Sequence, residues 1–176
     1  AGFIGSNLSI YLINKGYNIT VLDNLSSQVH GDSQEESYLY RSIRDRVHFI
    51  LGDVTVKTDW EKALKNQHAV IHLAAETGTG QSMYEISKYN NINIIGTANL
   101  LDLLTNTSHS IQKIILASSR SIYGEGRYFC QEYGDVFPNQ RQDKMLKQKI
   151  FEPTCDLCTS KLILKATHEQ SRISPA

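Results

Sequence analysis

The sequence opens with Ala1-Gly2-Phe3-Ile4-Gly5-Ser6 and runs through an apolar, helix-periodic segment to a short strand-like run, Ile19-Thr20-Val21-Leu22-Asp23. Two glycines three residues apart stand where the helix begins, and an acidic residue ends the strand that follows it. This order matches the second half of a dinucleotide-binding fingerprint. The strand and the first glycine of that fingerprint would lie before Ala1, so we expect the chain to be a piece of a larger protein.

Composition restricts the class of protein. The chain has 176 residues, of which 40% are hydrophobic, and this is enough for a domain with a core. Eighteen basic and eighteen acidic residues leave no net charge, so nothing indicates a nucleic-acid or anionic membrane surface. The sequence shows neither a secretory signal pattern nor an apolar stretch of transmembrane length. We expect a cytoplasmic enzyme that acts on a small molecule, with no nucleic-acid or membrane partner.

Hydrophobic periodicity alternates between helix and strand along the first 120 residues. Alternation of this kind predicts a parallel sheet with helices on both faces. The predicted strands are 19–23, 47–51, 69–75 and 113–119. The third is a nearly continuous apolar run, which is typical of a strand buried on both faces, and we expect the fourth to be another buried strand. We therefore predict an α/β fold with a doubly wound parallel sheet of the Rossmann type.

The character of the sequence changes near residue 125. The following segment is polar, rich in Gln and Lys, and has little sustained periodicity. We predict a partial cofactor-binding domain over 1–125, a cysteine-containing insertion over 126–166 and a terminal segment over 167–176. We expect the sheet to be truncated at both ends.

The residues Gly2, Gly5 and Asp23 are the first candidate ligands of a cofactor. A glycine turn at a helix N-terminus lets backbone N–H groups approach a pyrophosphate, and the helix dipole favours its charge. Tight packing of the helix on a strand is the alternative role of the two glycines. Asp23 favours binding, because a carboxylate at this strand end accepts the hydroxyls of an adenosine ribose. It would also repel a 2′-phosphate, which favours NAD over NADP, and a turn-forming role before Asn24 is compatible with binding.

Three further groups of residues follow or end predicted strands. Gly52-Asp53-Val54 could place Asp53 near adenine, although a plain turn is the simpler interpretation. His72 lies inside an apolar strand pattern, and we interpret it as a core histidine rather than a catalytic one. Leu73-Ala74-Ala75 places small side chains at the carboxyl end of a strand, where doubly wound sheets bind their ligands.

Six motifs occur together in an order and spacing that resemble the extended short-chain dehydrogenases/reductases. The members of this family that the chain resembles are the NAD-dependent nucleotide-sugar epimerases and dehydratases. The resemblance covers nearly the whole chain. Glu76–Glu85 is similar to the subgroup named for dTDP-L-rhamnose 4-epimerase, whose members also carry a cysteine-containing insertion after Tyr-Gly. The motifs are Gly2-Phe3-Ile4-Gly5-Ser6, Leu22-Asp23-Asn24-Leu25-Ser26, Gly52-Asp53-Val54, His72-Leu73-Ala74-Ala75, Asn93-Ile94-Ile95-Gly96-Thr97 and Ser118-Ser119-Arg120-Ser121-Ile122-Tyr123-Gly124.

The resemblance implies roles for residues at matching positions. The glycine turn would hold the pyrophosphate, the acid at residue 23 the adenosine ribose, and the pair at residues 53 and 54 the adenine. The asparagine at residue 93 would brace the central strands. The implied cofactor-binding residues are Gly2, Phe3, Ile4, Gly5, Asp23, Asn24, Asp53, Val54, Leu73, Ala74, Ala75 and Asn93.

The resemblance also implies a catalytic residue, Ser119, which would hydrogen-bond the reacting sugar hydroxyl. Its alternative role is a satisfied hydroxyl at a strand end. The catalytic base of the family is a tyrosine followed four residues later by a lysine, and no such pair follows Ser119. Tyr84 and Lys88 have this spacing but lie upstream, and we interpret them as surface residues. Because the base and the substrate domain would lie beyond residue 176, we expect the 176-residue polypeptide alone to turn over no nucleotide sugar.

The implied function is that of an NAD-dependent nucleotide-sugar 4-epimerase, of which this chain would be a fragment. A 4,6-dehydratase is the alternative within the family, but it needs an acid pair after the catalytic residue, where Arg120 and Ser121 stand. A non-catalytic NAD-binding module and a decayed gene product remain open. The expected partners are a nucleotide sugar in the full-length protein and a second copy in a homodimer.

The three cysteines suggest a metal site. Cys155-Asp156-Leu157-Cys158 is a Cys-x-x-Cys knuckle, and Cys130-Gln131-Glu132-Tyr133 looks like a second knuckle in which tyrosine replaces the second cysteine. Structural zinc takes four ligands in a closed tetrahedron. The sequence therefore leaves two interpretations open, a zinc site formed by Cys130, Cys155 and Cys158 with water or a distant side chain as fourth ligand, or thiols without metal in a surface loop.

Overall fold

The structure, a computed structural model, describes residues 1–173 and divides them into two units. The first unit is Ala1–Ala117 and the second begins at Ser118. The division precedes the boundary predicted at residue 125, because Glu125 pairs with Arg141 and so joins 118–125 to the chain that follows. Of the segment predicted over 167–176, residues 174–176 lie outside the described residues.

Helices and parallel strands alternate in the first unit. The strands are β1 (Thr20–Asp23), β2 (His48–Leu51), β3 (Ala69–His72) and β4 (Lys113–Leu116). The α-helices are α1 (Phe3–Asn14), α2 (Ser27–His30), α3 (Tyr38–Arg41), α4 (Lys57–Leu64), α5 (Ile86–Tyr89) and α6 (Gly96–Asn106), with a π-helical stretch at Asn90–Ile95 between the last two. The helix α1 ends in a Schellman motif, in which Gly16 takes a φ of 87° and Tyr17 N–H donates to Leu12 O.

The four strands form two parallel pairs. β1 pairs with β2 in the register Thr20 opposite His48, and β3 pairs with β4 in the register Ala69 opposite Lys113. Within residues 1–173, no ladder joins one pair to the other. The predicted α/β fold with parallel sheets is confirmed, and the order of its elements is that of a doubly wound sheet.

Helices cover both faces of the β1–β2 pair. On one face, Leu25 and Ile43 are buried together with Ile10 of α1 and Tyr40 of α3. The opposite face packs on a second group of buried side chains, one of which belongs to β3. We call this group the inter-pair cluster. Its buried members are Val54, Trp60, Val70, Leu100 and Leu103. Because α4 and α6 contribute to this cluster, they link the two strand pairs by side-chain packing.

The β3–β4 pair is covered less completely than the sequence predicts. Val70 and His72 are buried, but Ala69 and Ile71 on the other face are exposed, and every residue of β4 is exposed. The prediction that β3 is buried on both faces and the prediction that β4 is buried are both wrong. The apolar runs fit such burial, but α4 and α6 cover only the face that carries Val70.

Short antiparallel strands form the second unit. A sheet of β5 (Tyr128–Cys130), β6 (Gly134–Val136) and β7 (Ile163–Leu164) has β5 at its centre. A short helix, α7 (Asp143–Lys147), follows β6. In the described part of the chain, no helix is both long and apolar enough to cross a membrane.

The helix α6 also fixes the loop that follows β2. Asn99 is buried, and its amide donates to the carbonyl oxygens of Val54 at 3.3 Å and Thr55 at 2.9 Å. The Trp60 indole N–H donates to the same Val54 oxygen at 2.8 Å. Two helices therefore hold this loop by buried hydrogen bonds.

We expect Asn99→Ala to lower the free energy of unfolding by about 1–3 kcal/mol, because it removes a buried side chain and leaves the partly buried carbonyl oxygen of Thr55 without its donor. The matched control is Asn106→Ala on the same helix, whose exposed amide bonds only to Asp102. We expect a change within about 0.5 kcal/mol for this control. Urea unfolding followed by circular dichroism measures both, and equal losses would contradict the assignment.

Candidate cofactor cleft and cysteine cluster

A cleft lies in the first unit where β1, β2 and β3 end and α1 begins. It has a volume of about 150 Å³. Eight of the twelve predicted cofactor-binding residues line it, and these are Gly2, Asp23, Asn24, Asp53, Val54, Leu73, Ala74 and Ala75. The first-turn N–H groups of an α-helix have no partner within the helix, and the start of α1 contributes Gly2 to this cleft. A Cβ added at Gly2 would meet no atom within 4 Å, so the space beside its backbone is open.

The carboxylate of Asp23 is held at the end of β1. Its Oδ1 accepts a hydrogen bond from Leu25 N–H at 2.8 Å, and its Oδ2 contacts the amino group of Ala1. The Nε2 of the buried His30 lies 3.9 Å from Oδ1. The side chain is 22% exposed, so part of the carboxylate remains accessible to a ligand.

Asp53 connects the ends of β1 and β2. Its Oδ1 accepts from the N–H and the hydroxyl of Thr55 at 2.8 and 2.7 Å, and its Oδ2 accepts from the Asn24 amide at 3.0 Å. Burial acts to raise the pKa of Asp53, but these hydrogen bonds outweigh it and the pKa is lowered. Asp53 is therefore an ionised acceptor at neutral pH, in a fixed position.

The glycine before Asp53 is required by close packing. A Cβ on Gly52 would lie 2.7 Å from the Asp59 carboxylate and 2.9 Å from a methyl group of Leu22. The same Asp59 carboxylate accepts the N–H of Asp53 at 3.0 Å. A larger residue at position 52 would disturb the group that orients Asp53.

Four of the predicted cofactor-binding residues do not line the cleft. Phe3 and Ile4 project from α1 with 74% and 65% exposure. A Cβ on Gly5 would make only an ordinary van der Waals contact, 3.9 Å from a Leu73 methyl group, so close packing does not require glycine at this position. Asn93 exchanges two hydrogen bonds with the backbone of Glu76, at 2.9 and 3.0 Å, and so holds the segment that follows Ala75.

Sequence reasoning missed several residues of the cleft. His30 is the most buried of them, and its Nδ1 lies 2.8 Å from the Ser37 hydroxyl. Burial lowers the pKa of His30, with an opposing effect from Asp23. The polar loop that carries His30 has no periodicity from which burial could be predicted. The other missed residues that line the cleft are Leu22, Ser26, Gln28, Val29, Gly52, Glu76, Thr77 and Ile92.

His72 is a core residue in the structure. It is 4% exposed, packs edge-on against Trp60 with ring centroids 5.3 Å apart, and its Nε2 lies 3.1 Å from the Thr97 hydroxyl. Burial lowers the pKa of His72. These contacts agree with its interpretation as a core histidine.

Ser119 belongs to the second unit, where it precedes a short 3₁₀ helix, Arg120–Tyr123. Its hydroxyl oxygen accepts the Ser121 N–H at 3.1 Å, and the residue is exposed. This hydrogen bond fits the alternative role that we gave Ser119 from the sequence, in which its hydroxyl only bonds to the backbone at the end of a strand. A capping serine still has a hydroxyl proton and a second lone pair for a ligand.

Two Tyr-x-x-x-Lys pairs occur in the first unit, and in the first of them the Lys88 ammonium also donates to Gln28 Oε1 at 3.4 Å. Tyr84 is 84% exposed, and Lys88 pairs with Glu76 and Glu85 at 3.3 Å each. The second pair, on α1, was missed in the sequence, and there the Lys15 ammonium lies 5.6 Å from the centre of the Tyr11 ring.

The three cysteines lie together in the second unit. Their sulfur atoms are within 4.8 Å of one another, and Cys130 and Cys155 are fully buried. The Cys130 and Cys158 sulfurs are 3.6 Å apart, and all three cysteines are free thiols. The Ser160 hydroxyl and the N–H groups of residues 132 and 133 lower the pKa of Cys130 to about 7. Cys158 receives similar bonds from Ser160, but burial and the two other thiols leave its pKa raised.

Comparison with known proteins identifies the family. The model of the NAD dependent epimerase/dehydratase family matches residues 1–148. The chain belongs to this family. The resemblance seen in the motifs is thereby confirmed.

Named relatives of this epimerase/dehydratase chain are 4-epimerases. It is 36% identical over 143 residues to a dTDP-L-rhamnose 4-epimerase of Burkholderia thailandensis. That alignment covers 80% of this chain and 38% of that protein. It is also 30% identical over 128 residues to a UDP-glucose 4-epimerase of Pisum sativum. That alignment covers 71% of this chain and 36% of that protein. The chain thus spans little more than a third of either relative.

A solved structure shows the same fold. The UDP-glucose 4-epimerase of Bifidobacterium longum, in complex with NAD+ and UDP, superposes with a TM-score of 0.57 at 30% identity. The superposition covers 70% of this chain and 36% of that one. The Rossmann-type prediction is confirmed by this likeness.

The buried histidines predict a pH-dependent stability. Because the pKa of His72 is lower in the fold than its unfolded value of about 6.5, the unfolded chain binds the proton more readily, and stability falls as the pH drops below that value. We expect His72→Gln to reduce the difference in unfolding free energy between pH 7.5 and pH 5.5 by up to about 1 kcal/mol.

The matched control for this prediction is His68→Gln, because the His68 side chain is exposed one strand position before β3. Urea unfolding of the three proteins at both pH values gives the comparison. An unchanged pH difference in His72→Gln would show that His72 does not titrate differently on folding.

Proposed function

We propose that this chain is the cofactor-binding part of an NAD-dependent nucleotide-sugar 4-epimerase. The observation that carries the proposal is one cleft in which the ends of three parallel strands meet the start of α1, with the carboxylates of Asp23 and Asp53 fixed at its wall. Family membership and two relatives named 4-epimerases support the reaction class.

The residues of the cleft suit an adenine dinucleotide. The start of α1 offers unpaired N–H groups and the positive end of its dipole to a pyrophosphate. Asp23 would accept hydrogen bonds from the two ribose hydroxyls, and its charge disfavours a 2′-phosphate. Asp53 and the buried Val54 would contact the adenine ring from its polar and apolar sides. NAD, rather than NADP, is the expected cofactor.

The chemistry requires removal of a hydride from sugar C4, which NAD would accept, and its return to the opposite face of the 4-keto sugar. Ser119 would hydrogen-bond the oxygen at C4 and hold it in place while the proton leaves and returns. Its remaining lone pair and hydroxyl proton suit either protonation state of that oxygen. The nucleotide sugar is thus the proposed substrate class.

The other functions of the family fit the residues less well. A 4,6-dehydratase would need acids after Ser119, whereas Arg120 and Ser121 occupy these positions. A non-catalytic NAD-binding module would use the same cleft contacts, and the feature that separates an epimerase from it is the family's catalytic tyrosine–lysine pair, which does not occur after Ser119 in this sequence.

We also propose that the second unit binds one zinc ion through Cys130, Cys155 and Cys158. The support is the proximity of three sulfur atoms in a unit with little apolar core. Among its described residues, the buried apolar side chains are Tyr128, Pro138, Pro153 and two of these cysteines. Units this small usually require a metal, a disulfide or an added surface to remain folded.

We expect the purified chain to bind NAD+ and Asp23→Ala to weaken that binding by on the order of 10-fold or more, because two charge-assisted hydrogen bonds to the ribose are lost. The control is Asp45→Ala, whose side chain is 84% exposed. Isothermal titration calorimetry measures both, and equal affinities for the two variants would exclude Asp23 from the site.

The catalytic part of the proposal requires an enzyme with a base. We would replace the matching segment of the Burkholderia thailandensis dTDP-L-rhamnose 4-epimerase by residues 1–148 of this chain and follow epimerisation by NMR. We expect activity in this chimera and a loss on the order of 100-fold in kcat for Ser119→Ala. Ser118→Ala, at the exposed neighbouring position, is the control.

NAD+ binding by the chimera separates the possible outcomes. A chimera that binds NAD+ and retains full activity with Ser119→Ala would remove Ser119 from catalysis. One that binds NAD+ but shows no activity would favour the non-catalytic module.

A further inference from the structure

One sulfur–sulfur distance in the cysteine cluster matches an edge of a zinc tetrahedron, and the third sulfur lies near that edge. With Zn–S bonds of about 2.3 Å and tetrahedral angles, neighbouring ligand sulfurs lie roughly 3.8 Å apart. The Cys130 and Cys158 sulfurs are 3.6 Å apart, and the third sulfur lies within 4.8 Å of both. Two sulfurs are therefore at ligand spacing with the third close by, and the identity of the fourth ligand decides what kind of site this is.

One oxygen lies close to two of these corners. The Ser160 hydroxyl oxygen is 3.1 Å from the Cys158 sulfur and 3.6 Å from the Cys130 sulfur. With a Zn–O bond of about 2.1 Å, an oxygen ligand would lie roughly 3.6 Å from each sulfur. Ser160 needs only a small shift to meet this distance.

The chain around Ser160 is fixed by backbone hydrogen bonds. The Ser160 carbonyl accepts the Cys155 N–H at 2.9 Å, and the Thr159 N–H donates to the Cys155 carbonyl at 2.8 Å. The turn that carries the Cys-x-x-Cys pair thus also holds Ser160. Tyr133, which occupies the position of the missing fourth cysteine, is 52% exposed.

We infer that the Ser160 hydroxyl is the fourth ligand of the cysteine cluster, which makes it a three-sulfur, one-oxygen zinc site rather than a zinc ribbon completed by Tyr133. This inference rests on the proposal that the three cysteines bind zinc. A serine oxygen is a weaker zinc donor than a thiolate, so the affinity of the site should be limited by position 160.

The experiment measures zinc affinity of the full chain under reducing conditions, by competition with a chromophoric chelator, for the wild type and three variants. We expect Ser160→Ala to weaken binding by on the order of 10-fold or more. Ser160→Cys should tighten binding by a similar factor, and a folding defect could not produce that gain. Tyr133→Phe, which removes only the phenol oxygen, should leave the affinity unchanged.

Cobalt(II) provides a second measurement, because thiolate-to-cobalt charge-transfer absorption grows with the number of sulfur ligands. We expect the wild type to show the absorption of three thiolates and Ser160→Cys that of four. A Ser160→Ala protein with wild-type zinc affinity and an unchanged cobalt spectrum would overturn the inference. So would a loss of affinity in Tyr133→Phe, which would assign the fourth position to the tyrosine.

The outcomes also distinguish a failure of the Ser160 inference from a failure of the proposal that the three cysteines bind zinc. A wild-type chain that binds no zinc in its reduced form would overturn both. One zinc per chain that is lost in Cys155→Ser, together with unchanged binding in Ser160→Ala, would retain the three-cysteine site and reject Ser160 alone.

Discussion

The first unit depends on side-chain packing between its two strand pairs. Within the described residues no backbone ladder connects β1 to β3, so the connection is made by the inter-pair cluster of Val54, Trp60, Val70, Leu100 and Leu103. One hydrogen bond, from the Gln67 amide to the Thr20 hydroxyl at 3.1 Å, adds to it. Buried apolar area is non-directional, whereas a β-ladder fixes register. The relative position of the two pairs is consequently set by the fit of α4 and α6.

The same packing positions the candidate cofactor site. The loop after β2 carries Asp53 on its polar side and Val54 on its buried side, and it is held by Trp60 and Asn99 from the two helices of the cluster. Asp53 in turn orients Asn24 at the end of β1. A ligand that bridges Asp23 and Asp53 would therefore bind only when the cluster is assembled, and its binding free energy would add to the stability of the first unit.

The sequence predicts those parts of the fold that depend on local pattern. The four parallel strands, the glycine turn before α1 and the carboxylates at positions 23 and 53 follow from periodicity and from motif order. The exposure of β4 could not be predicted, because an apolar run indicates a strand without showing which elements cover it. His30 was missed for the converse reason, since tertiary contacts bury a polar loop residue that has no periodic signal. The cluster of three cysteines could be predicted from their spacing in the sequence. The proximity of Ser160 could not, because it depends on the fold of the turn.

The two units are stabilised by different interactions. The first buries large apolar side chains on both faces of β1 and β2, so its stability comes from area removed from water. In the second, Ile163 and Leu164 of β7 are 50% and 68% exposed, and the deepest side chains are the thiols of Cys130 and Cys155. A thiol buries little apolar area, but three thiol sulfurs within 4.8 Å of one another would offer the proposed zinc ion a site that the unfolded chain lacks. If the proposed zinc site is correct, the free energy of metal binding would also be free energy of folding for this unit, and the donor at position 160 would determine stability as well as affinity.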